Sequence, residues 1–157
     1  MTKTVDRLEK LVAKQPFLSI LNPRFRQYFT DCAMLQHIDK GQEIFHQDGP
    51  ADHFYLVLAG RVGLETFVPG CGMVTIQTLG PGEALGWSWL FPPRLWHFSS
   101  SALEPTDLIA FDAAYLRDKA EKNRDFAIEL VNRMAGVLLQ RLQGTRTQLI
   151  DLYSMRP

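Results

Sequence analysis

Short apolar runs separated by glycine turns dominate residues 41–86, and this pattern sets the strongest limit on how the chain folds. Apolar side chains alternate with other residues over 62–68, which is the two-residue period of a half-buried strand. Val74, Ile76 and Thr78 repeat the alternation after a turn. Further β-rich runs lie at 34–39, 43–46, 54–59, 97–103 and 107–111. Many short strands with Gly/Pro turns predict an antiparallel barrel or jelly roll.

Helical spacing replaces this alternation at both ends of the chain. Apolar residues recur every three or four positions between Val5 and Val12, and a shorter pattern of this kind follows near Phe25. The period is helical again over 112–122 and over about 124–153. The order predicts an α+β fold in one domain spanning 1–157, with helices over about 1–33, strands over 34–111 and helices over 112–153.

Three motifs occur in order along the strand region: Gly-x-x-Ile-Phe at 41–45, Tyr-Leu-Val-Leu-x-Gly-x-Val at 55–62, and Pro-Gly-x-x-Leu-Gly at 81–86. Together they resemble the cyclic-nucleotide-binding domain of catabolite activators and protein kinase A regulatory subunits. The resemblance extends from about Pro16 to the terminal helix. It implies an antiparallel β-roll, a jelly roll like the cupin double-stranded β-helix, flanked by N-terminal helices and a long C-terminal helix.

The resemblance also implies a ligand cassette directly after the last glycine of the third motif, Gly86. Members of the family use a glutamate there for the ribose hydroxyl and an arginine for the cyclic phosphate. Counted without gaps, the glutamate position falls on Trp87, the arginine position on Trp96, and the following small residue on His97. Arg94 lies two residues before the arginine position. Aromatic side chains therefore replace both charged groups.

Two interpretations of this cassette stay open. In the first, the former ligand cavity is filled as core by Trp87, Trp89, Leu90 and Phe91. In the second, a remodelled pocket binds a cyclic nucleotide or another small anionic or aromatic ligand. Its candidate residues are Gly86, Trp87, Ser88, Arg94, Trp96 and His97. Since charge-assisted hydrogen bonds contribute about 1.5–3 kcal/mol each, neither interpretation predicts cAMP or cGMP binding in the usual geometry.

The terminal helical segment carries a heptad-like apolar seam. Its residues step by three and four: Ile128, Val131, Ala135, Leu138, Leu142, Thr145, Leu149 and Leu152. A helix of about 29 residues would be roughly 43 Å long, so the seam predicts a homodimer through helix–helix packing. A separate stripe of Leu130, Met134 and Val137 is expected to face the roll. Gly136 and Gly144 are unfavourable inside a helix, which supports the alternative of a helix that packs only on its own domain, but they would also permit close helix approach.

Composition excludes several classes of function. Seventeen basic and 17 acidic residues balance, which disfavours direct DNA binding, and only four residues follow Tyr153, so no helix-turn-helix domain is expected. Neither a secretory signal nor a membrane span is predicted, and the two cysteines form no metal-ligand or CxxC spacing, as in a cytoplasmic protein. The four histidines form no His-x-His pair, so no metal site is expected and a cupin-like metal enzyme is a weak alternative.

These observations predict a non-catalytic sensor or regulatory domain. Ser88 lies in no Gly-x-Ser-x-Gly elbow, which gives no support to acyl transfer. Regulation would act through dimer rearrangement or through a protein partner.

Overall fold

Three helices open the chain in a computed structural model that describes residues 2–155. They are α1 (Thr2–Lys14), α2 (Pro16–Ser19) and α3 (Pro23–Asp31). The two longer helices agree with the predicted positions. The short helix α2 was not predicted. It begins with Pro16 at its first position, where the fixed backbone angle of proline suits a helix and its missing N–H is not needed.

Within residues 2–155, eight strands form two four-stranded antiparallel sheets that face each other as a roll, in the orders β1-β8-β3-β6 and β2-β7-β4-β5. The fold class predicted from the sequence is confirmed. The two-residue strand β6 is an addition to the predicted runs. The strands are β1 (Ala33–Ile38), β2 (Glu43–Phe45), β3 (His53–Ala59), β4 (Val62–Val68), β5 (Gly72–Leu79), β6 (Ala84–Leu85), β7 (Ser99–Ala102) and β8 (Thr106–Asp112).

A register shift changes which residues of β5 face the core. Leu64 pairs with Gln77 and Glu65 pairs with Thr75, so Ile76 is an extra residue in the ladder. Because a bulge of one residue reverses the alternation beyond it, Thr78 is exposed and Leu79 is buried. The prediction that Thr78 continues the face of Val74 and Ile76 was wrong for this reason.

Phe29 ties the N-terminal helices to the roll and to the terminal helix. Its ring lies 5.3 Å from that of Phe111 and 6.1 Å from that of Phe126, between ring centroids, both with edge-on geometry. It also contacts Phe17 of α2 and Phe54 of β3. Aromatic pairs of this kind contribute about 0.5–1.5 kcal/mol each beyond the area that they bury.

Two helices follow the roll, α4 (Ala113–Lys122) and α5 (Arg124–Ser154). Asn123 separates them. Its side chain accepts a hydrogen bond from the Phe126 N–H and so caps the start of α5. The predicted stripe faces the roll, with one polar member at its end. Its buried residues are Phe126, Leu130, Met134, Val137 and Arg141. From Leu142 to Met155 every residue of α5 and its cap is exposed.

The two cysteines lie in different surroundings. Cys32 packs against the core, where burial raises the pKa of its thiol to about 12, so it behaves as a small apolar residue. Cys71 is exposed in the turn between β4 and β5. None of the helices in the described part of the chain combines the length and the apolar character that crossing a bilayer requires.

An exposed histidine joins two carboxylates at the edge of the first sheet. The Nδ1 atom of His37 lies 2.7 Å from a carboxylate oxygen of Asp107, and its Nε2 atom lies 3.3 Å from Asp39. The hydrogen bond to Asp107 raises the pKa of His37, and the charges of both carboxylates add to the effect. Because the folded state binds this proton more tightly, the stabilisation is complete below the unfolded pKa of about 6.5 and is lost as pH rises through the folded pKa.

We therefore expect His37→Gln to lower the free energy of unfolding more at about pH 5.5 than at about pH 8.5. Urea denaturation of both proteins at the two pH values measures this difference. Asp107→Asn serves as the control, since it keeps the histidine and removes the main cause of its raised pKa. An equal effect of His37→Gln at both pH values would contradict the assignment.

Candidate functional site

The predicted cassette leaves the roll at Gly86, directly after β6, and returns to it at β7. Between these strands the chain runs along the loop that joins β2 to β3. Trp96 N–H donates to the Gly49 carbonyl (2.9 Å), and Asp48 N–H donates to the Trp96 carbonyl (2.8 Å). The Ala51 N–H donates to the Arg94 carbonyl in the same way. These backbone bonds fix the position of Trp96 relative to the roll.

Trp96 occupies the interior of the roll. Its side chain is 4% exposed, and its ring stacks on that of Phe45 with centroids 3.8 Å apart and planes 13° from parallel. Tyr55 lies beside both rings, 6.2 Å from Phe45 and 6.4 Å from Trp96 between centroids. Trp96 therefore packs with its aromatic neighbours as a core residue, at the position that the gap-free count from Gly86 matched to the phosphate-binding arginine.

Gly86 allows this packing because it has no side chain. Its φ of +92° lies in the left-handed region, and a Cβ atom at this position would overlap the six-membered ring of Trp96. The leading glycine of the cassette thus provides the surface against which the indole rests.

The space that remains beside Trp96 is a cavity of about 10 Å³. That volume suits about one water molecule, and a nucleotide needs far more. Five of the six predicted site residues line this cavity, together with Phe45, Leu64 and Phe98. The five are Gly86, Trp87, Ser88, Trp96 and His97.

Ser88 and His97 form a hydrogen bond at one side of the cavity. The Ser88 Oγ and His97 Nδ1 atoms are 2.7 Å apart, and the His97 ring lies under Trp87 at 6.5 Å between centroids. Among the described residues, no carboxylate bonds the other nitrogen of His97 as a catalytic pair would require. Ser88 is 3% exposed and faces a cavity too small for a substrate. The pair therefore satisfies a buried hydroxyl and holds the cassette closed.

Arg94 is the predicted site residue that the structure places elsewhere. It is exposed, has a φ of 58°, and is not among the residues that line the cavity. Its guanidinium lies near Arg117, whose pKa is lowered by burial and, to a smaller extent, by the charge of Arg94. Arg117 in turn donates a hydrogen bond to the Trp89 carbonyl (2.7 Å).

The aromatic residues expected to fill the cavity as core are divided between several places. Trp89 is fully buried, yet it packs on Phe54, away from the cavity lining. Phe91 is exposed, and of this group only Trp87 lines the cavity. Trp96, with Phe45 beneath it, fills the roll instead. Phe45 was not among the predicted site residues; its place at the end of the Gly-x-x-Ile-Phe motif is the sequence signal that could have indicated its role.

The described residues contain no cluster of three or more histidine, cysteine, aspartate or glutamate side chains that could hold a metal ion. His46 hydrogen-bonds to Glu43 (3.2 Å), and His37 lies with Asp39 and Asp107 at the sheet edge described above.

The close contact between Gly86 and Trp96 predicts a large effect of Gly86→Ala on stability. The positive φ should cost about 1–2 kcal/mol and the overlap with Trp96 about 1–3 kcal/mol more. Gly41→Ala is a matched control, because Gly41 also has a positive φ (+84°) but has nothing within 4 Å of the added Cβ. Urea denaturation should show the larger loss for Gly86→Ala. Equal losses would mean that Trp96 does not rest on Gly86.

Similarities to known proteins support the fold described above. The cyclic nucleotide-binding domain profile matches residues 35–123. A CRP-like cAMP-activated global transcriptional regulator of Mycobacterium tuberculosis is 24% identical over 120 residues, which cover 75% of this chain and 52% of that protein. The chain thus spans about half the length of this relative.

Two crystal structures share the fold. A structure from Geobacter metallireducens has a TM-score of 0.75 and 26% sequence identity, covering 88% of this chain and 98% of the other. A cyclic nucleotide-binding domain from Methylobacillus flagellatus has a TM-score of 0.76 and 17% identity, covering 95% and 84%.

Proposed function

Because the chain belongs to the cyclic nucleotide-binding domain family, we propose that it is a non-catalytic sensor or regulatory domain whose roll does not bind cAMP or cGMP in the usual way. The observation that carries this proposal is the position of Trp96. Its indole fills the roll between Phe45 and Gly86 and leaves a cavity of about 10 Å³.

The chemistry of the cassette supports the same conclusion. A cyclic nucleotide in the usual geometry needs an arginine fork on its phosphate and an acceptor for its ribose hydroxyl. Trp96 and Trp87 stand at these positions and offer neither group. Each lost charge-assisted bond removes about 1.5–3 kcal/mol, whereas micromolar affinity corresponds to only about 8 kcal/mol in total.

The alternative of a remodelled pocket around Arg94 has less support. Arg94 is exposed and does not line the cavity, and one face of Trp96 is already covered by Phe45. Ligand stacking on Trp96 would therefore require the cassette to move away from Gly49 and Asp48, to which its backbone is hydrogen-bonded.

Restoring the family charges tests the proposal. We expect calorimetry to detect no cAMP or cGMP binding by the wild-type protein. A Trp87→Glu/Trp96→Arg double variant should bind cAMP saturably and at least about tenfold more tightly than a Trp96→Leu variant, since two charge-assisted contacts return in the space that the indole leaves.

Trp96→Leu is the control for this titration, because it opens the same space without adding a charge. It should fold cooperatively and bind cAMP more weakly than the double variant. Saturable low-micromolar cAMP binding by the wild-type protein would refute the proposal.

We further propose that the protein forms a homodimer through the seam on α5. The seam is apolar and mostly exposed within one chain, since Ile128, Val131 and Leu149 are exposed and Leu142 is 66% exposed. Leu138 is half-buried. The stripe that ends at Arg141 already packs α5 on the roll, so the seam remains for another partner. A second copy of the helix offers a matching surface.

Analytical ultracentrifugation tests the dimer. We expect Leu142→Glu to lower the sedimenting mass from that of two chains to that of one, because the new charge would be buried in the interface. Gln143→Glu adds the same charge at a neighbouring position outside the seam and should leave the mass unchanged. A mass that is the same for Leu142→Glu and wild type would contradict the seam.

A further inference from the structure

A second and much larger cavity lies outside the roll. It is a groove of about 680 Å³ between α5, the end of β5, the turn that leads into β6, and the start of α2. Its lining residues include none of those around Trp96. The volume falls in the range of small-molecule sites, about 300–1,000 Å³.

Arg141 is the chemically unusual residue of this groove. It is 8% exposed, although it stands in the apolar stripe of α5 that packs on the roll. Its Nη2 donates a hydrogen bond to the Ala84 carbonyl, whereas its Nε atom has no partner. A guanidinium carries five N–H donors and keeps its charge in proteins. Most of its bonding capacity is thus unused within the described chain.

No carboxylate among residues 2–155 forms an ion pair with Arg141. Glu83 also lines the groove, but its carboxylate accepts a hydrogen bond from the Gly80 N–H (2.6 Å). Burial lowers the pKa of Arg141, and the charge of Glu83 opposes this only in part. Because Arg141 is mostly buried and forms no ion pair with a carboxylate of the described chain, binding of an anion beside it would be favourable.

The rest of the lining is suited to a polar ligand. Arg133 contributes a second positive charge, held in place by hydrogen bonds to the Phe17 carbonyl (3.1 Å) and the Pro16 carbonyl (3.2 Å). The amide side chains of Asn132 and Gln140 lie along the same side of α5. Two arginines and one glutamate leave the groove with a net positive lining.

A glycine on α5 keeps the groove open. Gly136 lines it, and a Cβ atom at this position would meet nothing within 4 Å. A Cβ atom here would therefore enter open space at the edge of the groove. A glycine inside a helix lowers helix stability. At position 136 the missing side chain leaves this part of the groove accessible.

The N-terminal part of the proposed dimer seam lies on the side of α5 opposite the groove. Gln140 follows Val131 by nine residues, which is roughly two and a half helical turns, and Gly144 follows Ala135 by the same interval. Farther along, Thr145 of the seam accepts a hydrogen bond from Gln77, which lines the groove. Pairing of two chains through the N-terminal part of the seam would therefore leave the groove accessible.

We propose that this groove binds a small organic anion, whose phosphate or carboxylate group is held by Arg141, while Arg133, about two helical turns away on α5, adds positive charge to the same groove. The ligand would contact both α5 and the turn at 80–84, so its arrival changes the packing of the dimer helix on the roll. The assignment of this ligand as the effector rests on the proposed sensor function, whereas its binding rests on the groove alone.

Calorimetric titration with defined probes tests the site. The probes are inorganic phosphate, 5′-AMP and succinate, with adenosine as the neutral counterpart of 5′-AMP. We expect saturable binding of at least one anion and none of adenosine, and the tighter class identifies the recognised group. Arg141→Gln should weaken binding about tenfold or more, as expected for lost charge-assisted bonds. Arg146→Gln removes the same charge from an exposed position of α5 outside the groove and should bind like wild type.

Gly136→Leu provides a second test that leaves the buried charge in place. Its side chain should occupy part of the groove and weaken anion binding while the protein unfolds at least as cooperatively as wild type. The proposal is overturned if no anion binds with a Kd below about 1 mM, if adenosine binds as tightly as 5′-AMP, or if Gly136→Leu binds like wild type. Such results would leave the cAMP titrations of the Trp96 variants unaffected, so the two proposals fail separately.

Discussion

The organisation of the site depends on the stacking of Trp96 on Phe45 and on the contact of the indole with the Gly86 backbone. It brings the cassette into the roll, and the backbone hydrogen bonds to Asp48 and Gly49 hold it there. In a ligand-binding roll the interior must stay open and must carry charge. Here an indole fills it, and only a cavity of about one water remains. The architecture of the family is therefore retained, and the proposal that its usual binding chemistry is lost depends on this one contact.

Outside the filled roll, the long helix α5 presents three surfaces. One is the stripe that packs on the roll and ends at Arg141, and one is the exposed apolar seam. The third borders the groove and shares Val137 and Arg141 with the stripe. Because these surfaces belong to one rigid element, a ligand in the groove and a second chain on the seam would act on the same helix. The helix is thus the element through which binding could be passed to a partner.

Much of this fold could be predicted from the sequence, because its signals are local. Alternation over 62–68, helical spacing over 124–153 and the three glycine motifs each depend on neighbouring residues. The errors arose where distant segments meet. The bulge at Ile76 turned Thr78 outward, and the pairing of strands β4 and β5 causes it. The stacking of Trp96 on Phe45 joins residues 51 positions apart, and no periodicity reports such a contact. Arg141 did leave a signal, as a charge in step with Leu130, Met134 and Val137.

The central claim is that Trp96 occupies the space in which a relative would hold a nucleotide. Proton NMR measures this directly, through nuclear Overhauser effects between the Trp96 indole and both the Gly86 α-protons and the Phe45 ring. Our account predicts strong cross-peaks to both, unchanged by an excess of cAMP. Absence of these cross-peaks, or their loss when cAMP is added, would show that the indole leaves the roll and would contradict the account.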